Sequence, residues 1–334
     1  GGEGGGEVRR IVLDSNPFMA NNSNHKNNKR TTPLRSPRRQ GASAKTIFSA
    51  VTQLDVSDNP IGYGGATAFS RLLNPASTPH QFLRELRLCR CGIPEIAGRD
   101  LAIALANRNK VLKVLTLSGN RLGNKSAESF AEMLSSRDCA LEELDLSWNQ
   151  VKAEGATALA QSLMVSRGFG KWENISGNRS LKKLDLSWNG IMDDGAVAFG
   201  LMLKDNRTLE FLDLTNTRLG ADACLVIAEG VRVNRSLLTL LLNGNSVGDD
   251  GARCVVSAVK ENKVIQFVGM QGVNMTSTVR GRGGAAAFNP LSPDGSYSLD
   301  LAVPADRVVA IQLSQLEEQL LGGGGGDGGD KGGG

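Results

Sequence analysis

The chain contains few of the residues on which enzymes rely for acid-base and nucleophilic chemistry. It has two histidines, His25 and His80, in 334 residues. Both fall in segments predicted to be loops or polar arms, so a Ser-His or Cys-His couple is effectively excluded. The glycine-rich runs lack the strand, turn and Lys-Ser/Thr sequence of a phosphate-binding loop. We therefore expect no enzyme activity and no cofactor.

Cysteine and long apolar runs are also scarce. The five cysteines are odd in number and scattered, and their spacing fits neither a disulfide framework nor a zinc site. No stretch approaches the roughly 20 apolar residues that a membrane-spanning helix needs. The cytosol is therefore the default compartment.

The net charge of +4 is an average over two unlike parts. Residues 1–45 hold nine Lys or Arg and three acids, a local charge of +6, which leaves the remainder at about −2. The remainder is therefore not a basic nucleic-acid surface. The basic arm 26–39 is interpreted as a solvated linker, with binding to an acidic surface such as a microtubule, nucleic acid or anionic lipid as the alternative. It has no interleaved aromatic residues, so sequence-specific reading of nucleic acid is not expected.

One phrase, apolar-x-x-apolar-x-apolar-x-x-Asn, recurs eight times along the chain. It occupies residues 51–59, 83–91, 112–120, 141–149, 181–189, 209–217, 237–245 and, in degraded form, 265–273. Cys91 and Thr217 replace the final Asn in two of them. From residue 83 onward the starts lie 28 or 29 residues apart, except for one step of 40. This period holds one strand and one full helix, and repetition at such a period is the signature of a solenoid. We expect the closing asparagines to satisfy backbone groups of the turns after the strands.

The period predicts the fold class and the domain organisation. The fold is a right-handed α/β solenoid, a horseshoe with a parallel β-sheet on the concave face and α-helices on the convex face. We predict a flexible basic segment at 1–45, about eight repeats at 46–274, a C-terminal cap at 275–321 and a glycine-rich linker at 322–334. Residues 8–16 also fit the template and are a candidate for one divergent repeat. The cap carries an amphipathic helix after Pro304, which either covers the last repeat or binds a partner. Glycine at both ends and the missing initiator methionine indicate an excerpt of a longer polypeptide.

The repeated phrase resembles that of a known class of proteins. Leu-Asp-Leu-Ser-Trp-Asn occurs at 144–149 and 184–189, each time followed by a Gly-Ala-x-Ala helix. These segments resemble ribonuclease-inhibitor-type leucine-rich repeats, and most of all the leucine-rich repeat-containing protein 74 family and its axonemal relatives. The resemblance implies a curved, non-enzymatic scaffold that binds other proteins, and it adds the cilium as an alternative compartment.

A ladder of carboxylates is the first candidate binding site. Asp145, Asp185 and Asp213 take the same concave position in successive repeats, about 4.8 Å apart across a parallel sheet. Like charges side by side destabilise a sheet, so their presence in three repeats suggests a basic protein partner. The alternative is that Asp serves only solubility at this position, where it is common in this class of repeats. Glu143 belongs to the same surface, where Lys183 is expected to neutralise it.

Two tryptophans are the second candidate site. Trp148 and Trp188 stand just before the closing Asn of adjacent repeats, so they should be neighbours at the rim of the sheet. Aromatic residues at such a rim can anchor a partner. Alternatively, the pair packs on itself and on the inserted segment that contains Phe169 and Trp172.

Two other functions compete with the scaffold. A GTPase-activating module resembling the Ran GTPase-activating protein would need a functional arginine, for which Arg87 is the concave candidate. It would also need an acidic tail, whereas the tail here is glycine. A ligand-sensing end of a NOD-like receptor would need a nucleotide-binding domain upstream.

Overall fold

A single β-sheet runs through the repeats. The structure is a computed structural model that describes residues 9–12, 51–74, 82–106, 109–136, 138–164, 177–271 and 297–300. Among these residues ten strands form the sheet in the order of the chain, from β1 to β10. The strands are β1 Arg9–Val12, β2 Val51–Asp55, β3 Glu85–Arg87, β4 Val114–Thr116, β5 Glu143–Asp145, β6 Lys183–Asp185, β7 Phe211–Asp213, β8 Thr239–Leu241, β9 Phe267–Met270 and β10 Tyr297–Asp300.

Strands β1 to β9 are parallel, and β10 pairs antiparallel with β9. Parallel neighbours require a crossover connection, and a helix supplies it in each repeat. The helices are α1 Gly62–Leu73, α2 Glu95–Ala106, α3 Gly123–Leu134, α4 Ala153–Leu163, α5 Met192–Asp205, α6 Ala221–Val233 and α7 Gly248–Glu261. The predicted α/β solenoid is confirmed. The part of the chain described here contains no helix with the length and apolarity needed to cross a bilayer.

The core is a stack of leucines between the sheet and the helices. The middle residue of each short strand is buried and lies in register with its neighbours, as for Leu115, Leu144 and Leu184. One repeat alone leaves this apolar face exposed, so the stacking of repeats is what buries it. Alternation along the strand then directs the flanking residues to the concave face.

Where asparagine closes the strand phrase, it holds together the turns of two repeats. Asn120 accepts two backbone N–H groups of the preceding repeat's turn, both at 3.0 Å. Its amide donates to the carbonyls of Leu88 at 2.8 Å and Leu117 at 2.7 Å. Asn189 and Asn245 make the same set of bonds. These side chains satisfy buried backbone groups that no strand or helix satisfies, as the sequence predicts.

A second buried asparagine lies near the N-terminal ends of the strands, where the chain passes from a helix to the next strand. Asn206 donates to the Leu163 carbonyl of the preceding helix at 2.9 Å. It accepts the N–H groups of Thr208 at 2.9 Å and Leu209 at 2.8 Å. Equivalent buried residues in other repeats are Asn178, Asn234 and Asn262. Asn178, Asn206 and Asn234 each begin an Asn-x-Ser/Thr sequence, the pattern of a glycosylation site. Their side chains are buried and serve the fold.

Several predicted segments lie outside the described residues. They are the basic arm 26–39, the insertion with Phe169 and Trp172, and the amphipathic helix after Pro304. Within 8–16, strand β1 pairs in parallel with β2, which is the arrangement that a divergent repeat requires. The domain boundaries stay a prediction.

Candidate functional site

The three ladder carboxylates lie in register on neighbouring strands. Asp145 of β5 is paired with Asp185 of β6, which is paired with Asp213 of β7. All three side chains are half-buried, whereas the sequence suggests an exposed row.

Each carboxylate also closes the turn that follows its strand. Asp145 accepts the backbone N–H of Ser147 at 2.9 Å and Asp185 that of Ser187 at 2.9 Å. Asp213 accepts the N–H of Thr215 at 2.8 Å. Aspartate favours such local bonds to the backbone two residues ahead. The ladder therefore has a structural role, and its presence in three repeats does not by itself require a basic partner.

Burial perturbs the protonation of the ladder. It raises the pKa of Asp185 to about 6, with smaller contributions from repulsion by Asp213 and Asp145 and an opposing one from hydrogen bonds with Ser187. Burial also raises the pKa of Asp213, against its hydrogen bonds with Thr215. The charge of Asp185 consequently changes near pH 6.

Glu143 is compensated by its neighbour in the sheet. Lys183 Nζ lies 3.4 Å from Glu143 Oε2 and 5.8 Å from the centre of the Phe211 ring. Phe211 was not among the predicted site residues, although it occupies the same repeat position as Glu143 and Lys183. Aligning the repeats on their leucines identifies it as a concave aromatic residue.

Trp148 and Trp188 form a stacked pair at the C-terminal edge of the strands. Their ring centroids are 4.2 Å apart and their planes differ by 13°. The residues remain 53% and 47% exposed. Stacking therefore leaves about half of each large aromatic residue accessible to a partner. The predicted neighbours Phe169 and Trp172 lie outside the described residues.

Both tryptophans sit on left-handed backbone. Each has φ of +56°, a region that is a genuine outlier for a bulky residue. The turn takes this conformation in the other repeats too, where the equivalent residues are Asp58 at +65°, Arg90 at +52°, Gly119 at +71°, Asn216 at +52° and Gly244 at +66°. Placing a side chain with Cβ there costs about 1–2 kcal/mol. Because this conformation belongs to the turn of every repeat, the strain does not by itself mark a site; their exposure and stacking make the tryptophans the strongest candidates on this surface.

The thiols of Cys91 and Cys224 are inert in this environment. Burial raises the pKa of Cys91 to about 11 and that of Cys224 to about 12. Both thiols are therefore protonated at neutral pH, and a protonated thiol is neither a nucleophile nor a metal ligand. Within the described ranges no group of three or more His, Cys, Asp or Glu side chains is arranged to hold a metal ion.

Comparisons with known proteins identify the repeats. The family model described as Leucine Rich repeat matches residues 51–70, 108–131, 138–160, 177–200 and 233–256. The chain is 35% identical over 131 residues to the Ran GTPase-activating protein of Drosophila melanogaster, covering 36% of this chain and 22% of that protein. It is 36% identical over 97 residues to the ribonuclease inhibitor of Sus scrofa, covering 29% and 20%. It is 33% identical over 114 residues to Protein NLRC5 of Mus musculus, covering 34% and 5%.

The matched regions span about a fifth of the first two relatives and less of the third. Among solved structures, Leiomodin-1 Actin-Binding Site 2 overlaps with a TM-score of 0.40 at 21% identity, covering 48% of this chain and 86% of that one. Together, the fold, the family model and the similarity to ribonuclease inhibitors define a ribonuclease-inhibitor-like leucine-rich-repeat solenoid. The narrower resemblance to the leucine-rich repeat-containing protein 74 family stays a prediction, as does the compartment, cytosol or cilium.

Proposed function

We propose that this chain is a non-enzymatic scaffold that binds a protein partner across repeats β5 to β7. The contact surface comprises Glu143, Asp145, Asp185 and Asp213 on the concave face, with Trp148 and Trp188 at the rim. The observation that carries the proposal is the tryptophan pair, which is exposed, stacked and held on left-handed backbone. Tryptophan is enriched among the residues that dominate binding energy at protein interfaces.

The ladder supplies the charge preference of this surface. Its three carboxylates lie beside one another, and Lys183 of the same strands is already paired with Glu143. A partner that presents lysine or arginine would relieve the repulsion within the ladder. Because burial raises the pKa of Asp185 to about 6, such a partner would bind more weakly below that pH.

A charge-neutral variant tests the ladder without removing its hydrogen bonds. Asp145→Asn, Asp185→Asn and Asp213→Asn together keep an oxygen that accepts the backbone N–H of each turn. The matched control is Asp194→Asn, Asp205→Asn and Asp222→Asn, three exposed carboxylates on the helices. Partners captured from native lysate are compared by quantitative mass spectrometry, after circular dichroism has shown that both variants fold. We expect a protein that wild type and control retain and the ladder variant loses; equal capture by all three would rule out the ladder as a site.

A second candidate function is supported by the similarity to the Ran GTPase-activating protein. In that case the chain would act on a small GTPase, and Arg87 would be the residue to test. Arg87 is half-exposed and bonded to Glu85 at 2.5 Å, so a GTPase would have to displace that ion pair. Stimulated GTP hydrolysis by a Ran-type GTPase, lost in Arg87→Ala, would favour this function. The similarity to Protein NLRC5 supports a third candidate, sensor repeats of a NOD-like receptor, which requires a nucleotide-binding domain outside this chain.

A further inference from the structure

A row of basic residues lies near the N-terminal ends of the strands. The tryptophans follow the C-terminal ends of the strands. The row comprises Arg179, Arg207, Arg235 and Lys263, each of which directly follows the buried asparagine between a helix and the next strand. All four are exposed. They precede the consecutive strands β6 to β9, so neighbouring members are separated by about one strand spacing, roughly 4.8 Å at the sheet.

The row has no matching row of acids. None of the four forms an ion pair with another described residue. The equivalent residue before β4, Lys110, does have a partner, because Asp138 lies 2.8 Å away. In the repeats after β5, asparagine occupies the position of Asp138. The cations of those repeats therefore have no acidic partner at that position.

Three of these arginines line one cleft of about 350 Å³. Its other lining residues include Lys182, Glu210, Leu238 and Val264. Lys182 is already paired with Glu142 at 3.0 Å. Arg207 donates one bond to the Asn206 carbonyl at 2.8 Å, which leaves most of its five N–H donors available.

We propose that this cleft binds an acidic, partly apolar segment of a protein partner. Guanidinium groups match the geometry of carboxylates with two parallel hydrogen bonds. Leu238 and Val264 offer an apolar surface between the charges, which suits a segment that mixes Asp or Glu with Leu. Glu210 disfavours a uniformly charged polyphosphate, and the lining has no aromatic side chain on which a nucleic-acid base could stack. The cleft lies at the N-terminal ends of the strands, whereas the tryptophan pair follows their C-terminal ends.

Loss of the arginines is tested by fluorescence anisotropy on the full chain with a labelled peptide rich in Asp, Glu and Leu. Arg179→Gln, Arg207→Gln and Arg235→Gln together should weaken binding about tenfold, since each exposed charge pair contributes modestly. The control, Arg71→Gln, Arg99→Gln and Arg121→Gln, removes the same charge from exposed positions in other repeats and should stay within about twofold of wild type. The basic arm is present in every variant, so its contribution cancels.

Glu210→Lys is the complementary variant. It should tighten peptide binding about threefold or more by removing the one repulsive charge of the cleft lining. Misfolding of the variant cannot produce such a gain in affinity. Single-stranded oligonucleotide and inorganic phosphate serve as competing probes. The proposal is overturned if the peptide does not bind, if the control loses as much as the cleft variant, if Glu210→Lys binds no more tightly, or if the oligonucleotide binds more tightly than the peptide.

Discussion

At the scale of single residues, the polar side chains of this solenoid are tied to the backbone of their own turns. The ladder aspartates accept N–H groups two residues ahead, and the closing asparagines join the turns of adjacent repeats. A side chain that performs structural work of this kind is a weak indicator of binding. The tryptophans are different, because they are large aromatic residues that remain about half exposed at a turn position where other repeats carry glycine or polar residues.

Asn189 and Asn149 occupy the same repeat position but differ in their bonds. Asn189 accepts two N–H groups and donates to the Leu146 and Leu186 carbonyls at 2.9 Å each. Asn149 donates its amide, whereas its Oδ1 is buried without a hydrogen-bond partner among the described residues. We expect both alanine variants to lower the free energy of unfolding, and Asn189→Ala to lower it by about 1–2 kcal/mol more. Urea denaturation measures the difference, and equal losses would contradict the assigned bonds.

Asp185 gives the fold a dependence on pH. Its pKa is raised by burial from 3.8 to about 6, so the folded state holds this proton more tightly than the unfolded chain does. The group therefore becomes destabilising as the pH rises through that interval. In Asp185→Asn the penalty is absent, so its stability relative to wild type should increase by up to about 3 kcal/mol from pH 4 to pH 8. Denaturation at several pH values checks this, and a difference that is constant with pH would contradict it.

At the scale of elements, the sequence was sufficient for the sheet and the helices. The spacing of leucines predicts β2 to β9, and the length of the period predicts the helix that connects each strand to the next. Strand β10 could not be predicted, because no repeat surrounds it. The burial of the ladder carboxylates also escaped prediction, since it depends on how closely the turns pack. The basic row was visible as Asn-Arg at intervals of 28 residues, but each copy taken alone reads as a solvated loop.

Close approach between helices α5 and α6 depends on Gly200. A Cβ at this position would lie 2.6 Å from the Val226 carbonyl carbon and 2.7 Å from the Ile227 nitrogen. Backbone atoms cannot move aside as a flexible side chain can. We expect Gly200→Ala to destabilise the fold by about 1–3 kcal/mol through overpacking.

The matched control is Gly64→Ala in α1, where a Cβ would meet nothing within 4 Å. That substitution should stabilise the helix by up to about 1 kcal/mol. Thermal unfolding of both variants measures the contrast. If the two substitutions shift the midpoint in the same direction, the close packing of α5 on α6 is not what fixes the spacing of these repeats.

At the scale of the whole molecule, the two ends of the parallel strands carry different kinds of side chain. The aromatic pair lies at the C-terminal end of the strands, and the cations without ion-pair partners lie at the N-terminal end. Because the arginines and the tryptophans are exposed and lie at opposite ends of the strands, a substitution in one set should leave the other intact. The two proposed surfaces can therefore be tested separately in the same chain.

The most direct test of the proposed function is to measure stability and partner capture together in Trp148→Asn, Trp188→Asn. Asn216 already holds this backbone conformation in the next repeat, so the substitution relieves strain while it removes the stacking. These effects are similar in size, and we expect a free energy of unfolding within about 1 kcal/mol of wild type. Capture of the partner should fall at least tenfold, whereas Ile96→Ala, Ile103→Ala, which trims two exposed apolar residues of α2, should retain it. A clear loss of stability with unchanged capture would show instead that the tryptophan pair serves the fold and is not the binding site.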